Sequence, residues 1–416
     1  MDKELNLLKY NPHWEKSFRY PYPKTRGIFR SLLEMLSRRQ IVEIIGLRRT
    51  GKTTLLFQVI NHLLEKKINP YSILYFTFDE EKLKLDDLFQ IFSLETQIDF
   101  KKEQVFVFLD EIQKLPDFQN QLKVYYDLYP HLKFFISGST SLFLKKKTQE
   151  SLAGRIISFY LPPLNFKEYL YFKDKSEFLE KPLIYEKEIE KEFAIFLESQ
   201  LIESIFLKKP NEKREYFTSI VKKIIFEDIP QAFPVDNPEI LWRIAKIIGQ
   251  YPGMSIDYQS LSQKIGISNK TLSSYLFYLE ESFLVKKIYN FSRNLLTSEK
   301  KLKKFYLASP SLSWAFSDFI DKGKLVENLV LSLGDYKFFW RDSYQHEVDF
   351  IKIEDSKIIP VEVKSQKEVQ KKDLKNLIIF AKKFETSRVI ILTENIKPLT
   401  TKLGNIKIEQ LPVYFV

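Results

Sequence analysis

Four short apolar runs stand out in the first third of the chain: Ile41–Ile45, Ile73–Phe78, Val105–Leu109 and Lys133–Ile136. Runs of this length, bounded by polar residues, predict buried strands. Between the first two, Leu55, Leu56, Val59, Ile60, Leu63 and Leu64 recur at a spacing that predicts a helix over Thr53–Leu64 with one apolar face. Buried strands alternating with helices predict an α/β fold around a parallel sheet. The pattern changes at Leu161-Pro162-Pro163, and a Lys/Glu-rich helical region follows to about Val235. Beyond Pro238, Leu261–Ile265, Gly266-Ile267-Ser268 and Lys270–Leu284 read as helix, turn, helix. Ser268 is the expected N-cap, and Leu272, Leu276, Leu279 and Phe283 form the apolar stripe. Basic, partly extended sequence continues to Lys304, and a mixture of helices and strands begins near Phe305.

Between the first strand and the first helix lies Gly46-Leu47-Arg48-Arg49-Thr50-Gly51-Lys52-Thr53, which matches G-x-x-x-x-G-K-[ST]. Glycines let the backbone bend close to phosphate oxygens, and the freed amides and helix N-terminus bind the anion. Gly46, Arg48, Arg49, Thr50, Gly51, Lys52, Thr53 and Thr54 are the expected nucleotide contacts. Lys52 is expected to reach the outer phosphates and Thr53 to ligate magnesium. The strand Val105–Leu109 runs into Asp110-Glu111. Strand ends of this kind are where α/β sheets place ligands. Asp110 is expected to hold magnesium, largely through water, and Glu111 to orient or deprotonate the attacking water. Ser139, after the strand Phe134-Phe135-Ile136, is a candidate γ-phosphate sensor.

Composition narrows the chemistry. None of the 416 residues is cysteine, which excludes disulfides, thiolate zinc sites and a cysteine nucleophile. The four histidines are scattered and suggest no metal cluster. No run of about 18 apolar residues predicts a membrane span, and the opening has no signal-peptide pattern, so a cytoplasmic protein with no membrane partner is expected. A formal net charge of +11 argues for an anionic partner, with nucleic acid the leading candidate, or simply for a Lys-rich solvated surface.

Glu347–Lys364 reads as a hairpin turning at Asp355-Ser356, which sets Asp349 opposite Glu362. Glu362 and Lys364 are two apart and share that face. Two carboxylates and a lysine then converge in the arrangement that binds magnesium and activates water against a phosphodiester. Asp349, Glu362 and Lys364 are therefore candidate catalytic residues. Asp349, Glu362 and, from the helix-like LVENLVLSLG, Glu327 are candidate metal ligands. Asp349 and Glu362 are expected to ionise at neutral pH and repel each other. Between Lys286 and Lys304 there are seven basic residues and one acid, Glu299, with Tyr289 and Phe291 interleaved. Beside a second helix bearing Asn269, Lys270, Ser273 and Ser274, that stretch is a candidate DNA-binding wing.

The opening Asn11-Pro12-His13-Trp14, the segments GLRRTGKTTLL, VFVFLDEIQ, FISGST and SLAGRI, and the later LVENLV, EVDF and IPVEVKS occur in an order with a precedent. The chain resembles a large prokaryotic group of AAA-type ATPases fused to a C-terminal domain of PD-(D/E)xK nuclease-like fold. The resemblance implies a P-loop NTPase sheet of AAA type (1–165, with an N-terminal extension), a helical region (166–236), a winged-helix segment (237–304) and an α/β restriction-endonuclease-like domain (305–416). It also makes Arg155 the candidate finger that completes a neighbouring subunit's site, and hence implies a homo-oligomer. Where the family often has an aspartate after the strand at Lys304-Phe305-Tyr306-Leu307, this chain has Ala308-Ser309-Pro310. The expectation is an ATP hydrolase using ATP and Mg2+ that binds DNA and couples turnover to remodelling or processing it. Two alternatives stay open: a nucleotide-dependent switch on a degenerate nuclease-like scaffold, and an ATP-gated, metal-dependent nuclease.

Overall fold

The computed structural model describes residues 6–81, 83–139, 152–319 and 321–416; Thr140 and Ser151, from two of the motifs above, lie outside them, as do the side chains of Leu295 and Lys300. The chain divides into two compact units, Met1–Leu161 and Pro162–Val416.

In the first unit the four predicted strands are present as β1 (Ile41–Ile45), β2 (Ile73–Thr77), β3 (Val105–Asp110) and β4 (Leu132–Gly138), joined by β5 (Ile156–Tyr160). The order is β2-β3-β4-β1-β5, with every pairing parallel. Helices α1 (Lys52–Glu65), α2 (Leu85–Thr96) and α3 (Phe118–Leu128) connect them. Along α1 the buried residues include Leu55, Leu56, Val59, Ile60, Leu63 and Leu64, the stripe predicted from spacing. Because β3, β4 and β1 are adjacent and parallel, their carboxyl ends lie side by side.

The edge strand β2 would expose unpaired backbone groups. The Asn11-His13-Trp14 segment covers them. The Asn11 side chain accepts from Tyr75 N (2.7 Å) and donates to Tyr75 O (3.0 Å). Trp14 Nε1 donates to Ile73 O at 2.9 Å, and His13 Nε2 lies 3.0 Å from the same oxygen. Burial holds His13 down at about 4, so the ring is neutral at pH 7 and its Nε2–H is free to donate to that carbonyl.

In the second unit a helical stretch runs to Ala232, as the sequence predicts. Then follow β6 (Met254–Ile256), α4 (Tyr258–Ile265), α5 (Asn269–Glu281), β7 (Val285–Asn290), β8 (Lys303–Leu307), α6 (Lys322–Leu333), β9 (Phe338–Arg341), β10 (Glu347–Glu354), β11 (Lys357–Lys364), α7 (Lys375–Phe384), β12 (Arg388–Thr393), β13 (Leu399–Leu403) and β14 (Ile406–Pro412). Ser268 caps α5, accepting from Thr271 N at 3.0 Å. The helix stops at Glu281, so Phe283, with φ 56°, sits in the turn beyond it.

All nine strands form one mixed sheet, ordered β13-β14-β12-β11-β10-β9-β7-β8-β6. The strands that follow the helix-turn-helix are therefore continuous with the C-terminal strands, and the expected border at 304/305 falls inside β8. Hydrogen-bond pairing between distant strands overrides the composition shift on which that border rested. The β10–β11 hairpin turns at Asp355 and Ser356, with φ of 48° and 64°. Two successive left-handed residues are what a two-residue hairpin turn of type I′ needs.

Candidate active site

The phosphate loop begins where β1 ends. Gly46 has φ 149°, and a Cβ there would lie 2.4 Å from Leu161 O, so no larger residue fits. Arg49 (φ 68°) and Gly51 (φ 99°) turn the chain into α1. Arg26 Nη1 donates to Thr50 O (2.8 Å) and Thr50 Oγ1 to Leu47 O (2.8 Å), bracing the loop from both sides. The Lys52 ammonium donates to Gly46 O and Leu47 O, each at 3.0 Å, and so hangs across the loop's own carbonyls. Arg48, Thr53 and Thr54 are half-buried and Arg49 is exposed.

Asp110 closes β3 beside this loop. Its Oδ2 accepts from Thr53 Oγ1 (2.6 Å) and Tyr75 OH (3.2 Å), and its Oδ1 from Ser137 Oγ and Glu111 N (3.1 Å). Burial, and then the neighbouring Glu111, push the carboxyl above its ordinary value; Ser137, Thr53 and the charge of Lys52 pull the other way. Glu111 has φ 50°, a region a non-glycine residue enters at a cost of order 1–3 kcal/mol, and such strain clusters at functional sites. Its Oε2 accepts from Ser139 Oγ (3.0 Å) and from Gln113 Nε2, which also donates to Ser139 Oγ (3.2 Å). Lys52, Thr53, Asp110, Glu111 and Ser139 thus share one neighbourhood. Tyr75, Ser137, Gln113 and Arg26 also belong to it; Gln113 and Ser137 lie in the VFVFLDEIQ and FISGST segments, while nothing local in the sequence marks Tyr75 or Arg26.

Magnesium fits this place. The hydrogen bonds that Asp110 accepts come from hydroxyls and one amide, neutral donors rather than an ion-pair partner.

Arg155 lies elsewhere in the unit. It immediately precedes β5, and its carbonyl accepts from Ile41 N (2.8 Å) at the start of β1. Five residues of strand, roughly 16 Å, separate that edge from the phosphate loop. The guanidinium makes a two-point pair with Asp127, at 2.8 and 3.0 Å. Arg155 cannot serve its own chain's loop from there.

The C-terminal acids are brought together, but differently from the expectation. Pairs such as Phe350↔Val361 and Glu354↔Lys357 fix the hairpin register, which sets Asp349 against Glu362 as predicted. Asp349 Oδ2 accepts from Val363 N (2.9 Å), and Lys364 Nζ donates to Glu362 Oε1 (2.9 Å). Glu327, on α6, accepts from Tyr306 OH (2.6 Å) and Lys324 Nζ (2.7 Å). Into the same cluster points Lys304, 2% exposed, with its ammonium 2.6 Å from Glu347 Oε1 and 3.5 Å from Glu327 Oε1. Burial works against that charge, yet Glu327, Glu347 and Asp349 hold it above its ordinary value.

Two expectations change here. Burial, then the charges of Glu362 and Glu327, raise Asp349 well above the usual carboxylate range, so it gives up its proton less readily than expected. Glu362 is raised too, by burial, with Lys364 opposing. Second, among the described residues no group of three or more His, Cys, Asp or Glu side chains is arranged to hold a metal ion. Glu327, Asp349 and Glu362 do not fit one, because lysines and a tyrosine take up both Glu327 oxygens and one of Glu362, and the Val363 amide takes one of Asp349.

The basic stretch also changes meaning. Lys286 donates to the Leu331 and Ser332 carbonyls, Lys287 pairs with Glu280 at 2.7 Å, and Lys304 is buried among acids. These three face protein. Asn269, Lys270 and Ser273 on α5 are exposed and Ser274 is half-exposed.

Comparison with known proteins agrees with the first unit's architecture. Residues 38–170 match the family model described as "AAA domain", and residues 204–322 and 322–412 match two domains of unknown function, DUF8612 and DUF4143. The chain is 26% identical over 344 residues to an uncharacterized protein of Methanocaldococcus jannaschii, covering 79% of this chain and 75% of that one. A second uncharacterized protein of that organism is 28% identical over 289 residues, covering 64% of this chain and 59% of the relative. Among solved structures, the Aeropyrum pernix ORC1 protein in complex with DNA aligns over 73% of this chain and 92% of its own, at 13% identity and a TM-score of 0.34. A five-stranded parallel sheet, a phosphate loop after β1 and an acidic pair after β3 define a P-loop NTPase. The family match makes it an AAA-type ATPase domain.

Proposed function

We propose that the protein hydrolyses ATP with Mg2+ and couples turnover to DNA. Lys52 neutralises the outer phosphates, while Thr53 and Asp110 hold the metal. Magnesium supplies charge neutralisation at the phosphates; the protein supplies position. Glu111 accepts the proton of the attacking water, and Ser139 and Gln113, hydrogen-bonded to the Glu111 carboxylate, report whether a γ-phosphate is present. The single observation carrying this reading is the Thr53–Asp110 hydrogen bond of 2.6 Å across the mouth of the phosphate loop, with Glu111 next to it.

Arg155 acts on the loop of a neighbouring copy, since it is too far from its own, and this makes the active form a homo-oligomer. DNA is bound through the exposed face of α5, in a winged-helix arrangement completed by β7 and β8. Support for this comes from exposed Asn269, Lys270 and Ser273, not from the whole basic stretch. The test is ATP turnover with and without duplex, forked and single-stranded DNA, for wild type and Lys270→Ala. Stimulation that weakens in Lys270→Ala supports coupling through α5. Turnover indifferent to every DNA would favour a second reading, a nucleotide-dependent switch whose C-terminal region is a scaffold of nuclease-like fold. The Lys304 ion pairs within the acid cluster favour the scaffold part of that reading.

A further inference from the structure

We infer that the Lys304 ammonium takes the place of a divalent cation in the C-terminal acidic cluster, which makes this part of the protein a self-neutralised core rather than a metal-dependent hydrolytic site. This stands apart from the ATPase proposal and survives if that fails.

Glu327, Glu347, Asp349 and Glu362 come from α6, β10 and β11, and would repel one another strongly if nothing positive lay among them. Such a set either recruits a metal or carries its own cation. Here Lys304 enters from β8 and lies 2.6 Å from Glu347 Oε1 and 3.5 Å from Glu327 Oε1. Lys324 pairs with Glu327 Oε2 at 2.7 Å, and Lys364 with Glu362 Oε1 at 2.9 Å. Three ammonium groups, together with the Arg341 guanidinium 3.7 Å from Glu347 Oε2, thus face four carboxyls within the protein. A divalent ion added to them would turn a nearly balanced group into an overcharged one.

Ligand supply points the same way. A divalent cation of the magnesium or calcium kind takes about six or more oxygen ligands, several of them water. Both Glu327 oxygens are engaged, Oε1 by Tyr306 and Oε2 by Lys324. Asp349 Oδ2 is engaged by the Val363 amide. Glu362 Oε2 is buried without a hydrogen-bond partner, but with Asp349 Oδ1 it offers at most two ligands. Nor, with the Lys304 ammonium 3.5 Å from Glu327 Oε1, is there room for a hydration shell at Glu327. Gly253, with φ 79°, packs so closely that a Cβ there would lie 2.9 Å from both Glu327 Oε1 and the Tyr306 hydroxyl. Lys304, Tyr306 and Glu327 are all at most 5% exposed.

The experiment counts bound Mn2+ by the loss of its free electron paramagnetic resonance signal, on the full chain without nucleotide. Wild type and Asp349→Asn are expected to bind the same number of ions, because the cluster holds none. Lys304→Met keeps the apolar stem and removes the charge. It is expected to bind one further ion per chain, and that ion should be lost again in Lys304→Met/Asp349→Asn. An ion present in wild type and lost in Asp349→Asn or in Glu362→Gln would overturn the inference. So would a folded Lys304→Met, verified by its circular-dichroism melt, that gains no ion. Should Lys304→Met fail to fold, the comparison of wild type with Asp349→Asn and Glu362→Gln decides alone.

Discussion

In the first unit Asp110 and Glu111 are surrounded by hydroxyls and amides: Thr53, Tyr75, Ser137 and the Glu111 amide on one, Ser139 and Gln113 on the other. In the second, Glu327, Glu347 and Glu362 are each within ion-pair distance of a lysine. Apart from the half-buried Glu347, both sets are buried, and both sit against a sheet. A neutral donor orients a carboxylate and offsets part of its desolvation without cancelling its charge, so the site still attracts a cation. An ammonium cancels the charge and closes the site. Acidic residues converging at a sheet are thus not enough to identify a metal centre; the charge of what they touch decides.

If the first site is open in this sense, it is finished by groups from outside the chain, and the largest expected effect is at Arg155. Arg155→Ala should lower ATP turnover by ~10³-fold, about 4 kcal/mol. Mixing Arg155→Ala with Lys52→Ala subunits should restore part of it, since mixed interfaces contain one intact site. Mixtures that co-assemble and stay inactive would remove the trans role.

The closed site should answer in stability rather than turnover. Glu327→Gln leaves Lys304 short of its counter-charge in a buried setting, a loss of about 3 kcal/mol that a urea titration reads directly. The pH dependence has opposite signs for two neighbours. Burial opposes the Glu327 charge, but Lys304 and Lys324 win and hold it below its ordinary value, so its stabilisation is present above that value and fades as the solution is acidified through the folded one. Asp349 is raised, so the folded state keeps a proton the unfolded chain releases, and stability declines as pH rises from the ordinary aspartate value toward the folded one. At neutral pH, Asp349→Asn should therefore stabilise where Glu327→Gln destabilises. Matching losses in both would contradict the charge assignment.

This contrast also explains what the sequence disclosed. The phosphate loop was legible because its chemistry is local: glycines, lysine and threonine at fixed spacing, between an apolar run and a helical stripe. The hairpin register was legible because a two-residue turn determines it. Tyr75 and Ser137 were not, because only the pairing of β2, β3 and β4 brings them to Asp110. Lys304 was misread as part of a basic wing, since counting charge along the chain is blind to burial. A signal was present: Lys304 opens the run Phe305-Tyr306-Leu307, all buried in β8. A lysine inside a strand buried on both faces needs an acidic partner. The continuity of β6, β7 and β8 with the C-terminal strands was likewise invisible, being set by pairings such as β7 with β9 across distant sequence.

A smaller effect is expected at Glu111. Glu111→Gln should retain ATP and lose roughly 10²-fold or more in turnover, whereas Glu362→Gln should leave turnover unchanged. Near-normal hydrolysis by Glu111→Gln would dismiss it as the base, and slowed hydrolysis by Glu362→Gln would mean the two acidic sets are not independent.

The finest test compares two tyrosines that do the same thing in the two settings. Tyr75 donates to Asp110 at 3.2 Å, and Tyr306 to Glu327 at 2.6 Å. A donor to a carboxylate favours its charged form, and one such bond contributes about 1 kcal/mol. In the open site that charge is what attracts the metal. Tyr75→Phe should therefore raise the Mg2+ concentration needed for half-maximal ATP turnover, by roughly five-fold for 1 kcal/mol, with kcat at saturating Mg2+ preserved. In the closed site the partner cation is a lysine already in place, so Tyr306→Phe should lower the urea midpoint and leave the Mg2+ dependence of turnover alone. An unchanged Mg2+ requirement in Tyr75→Phe would mean that Asp110 does not hold the metal. A shifted one in Tyr306→Phe would mean that the C-terminal acids contribute to the nucleotide reaction after all.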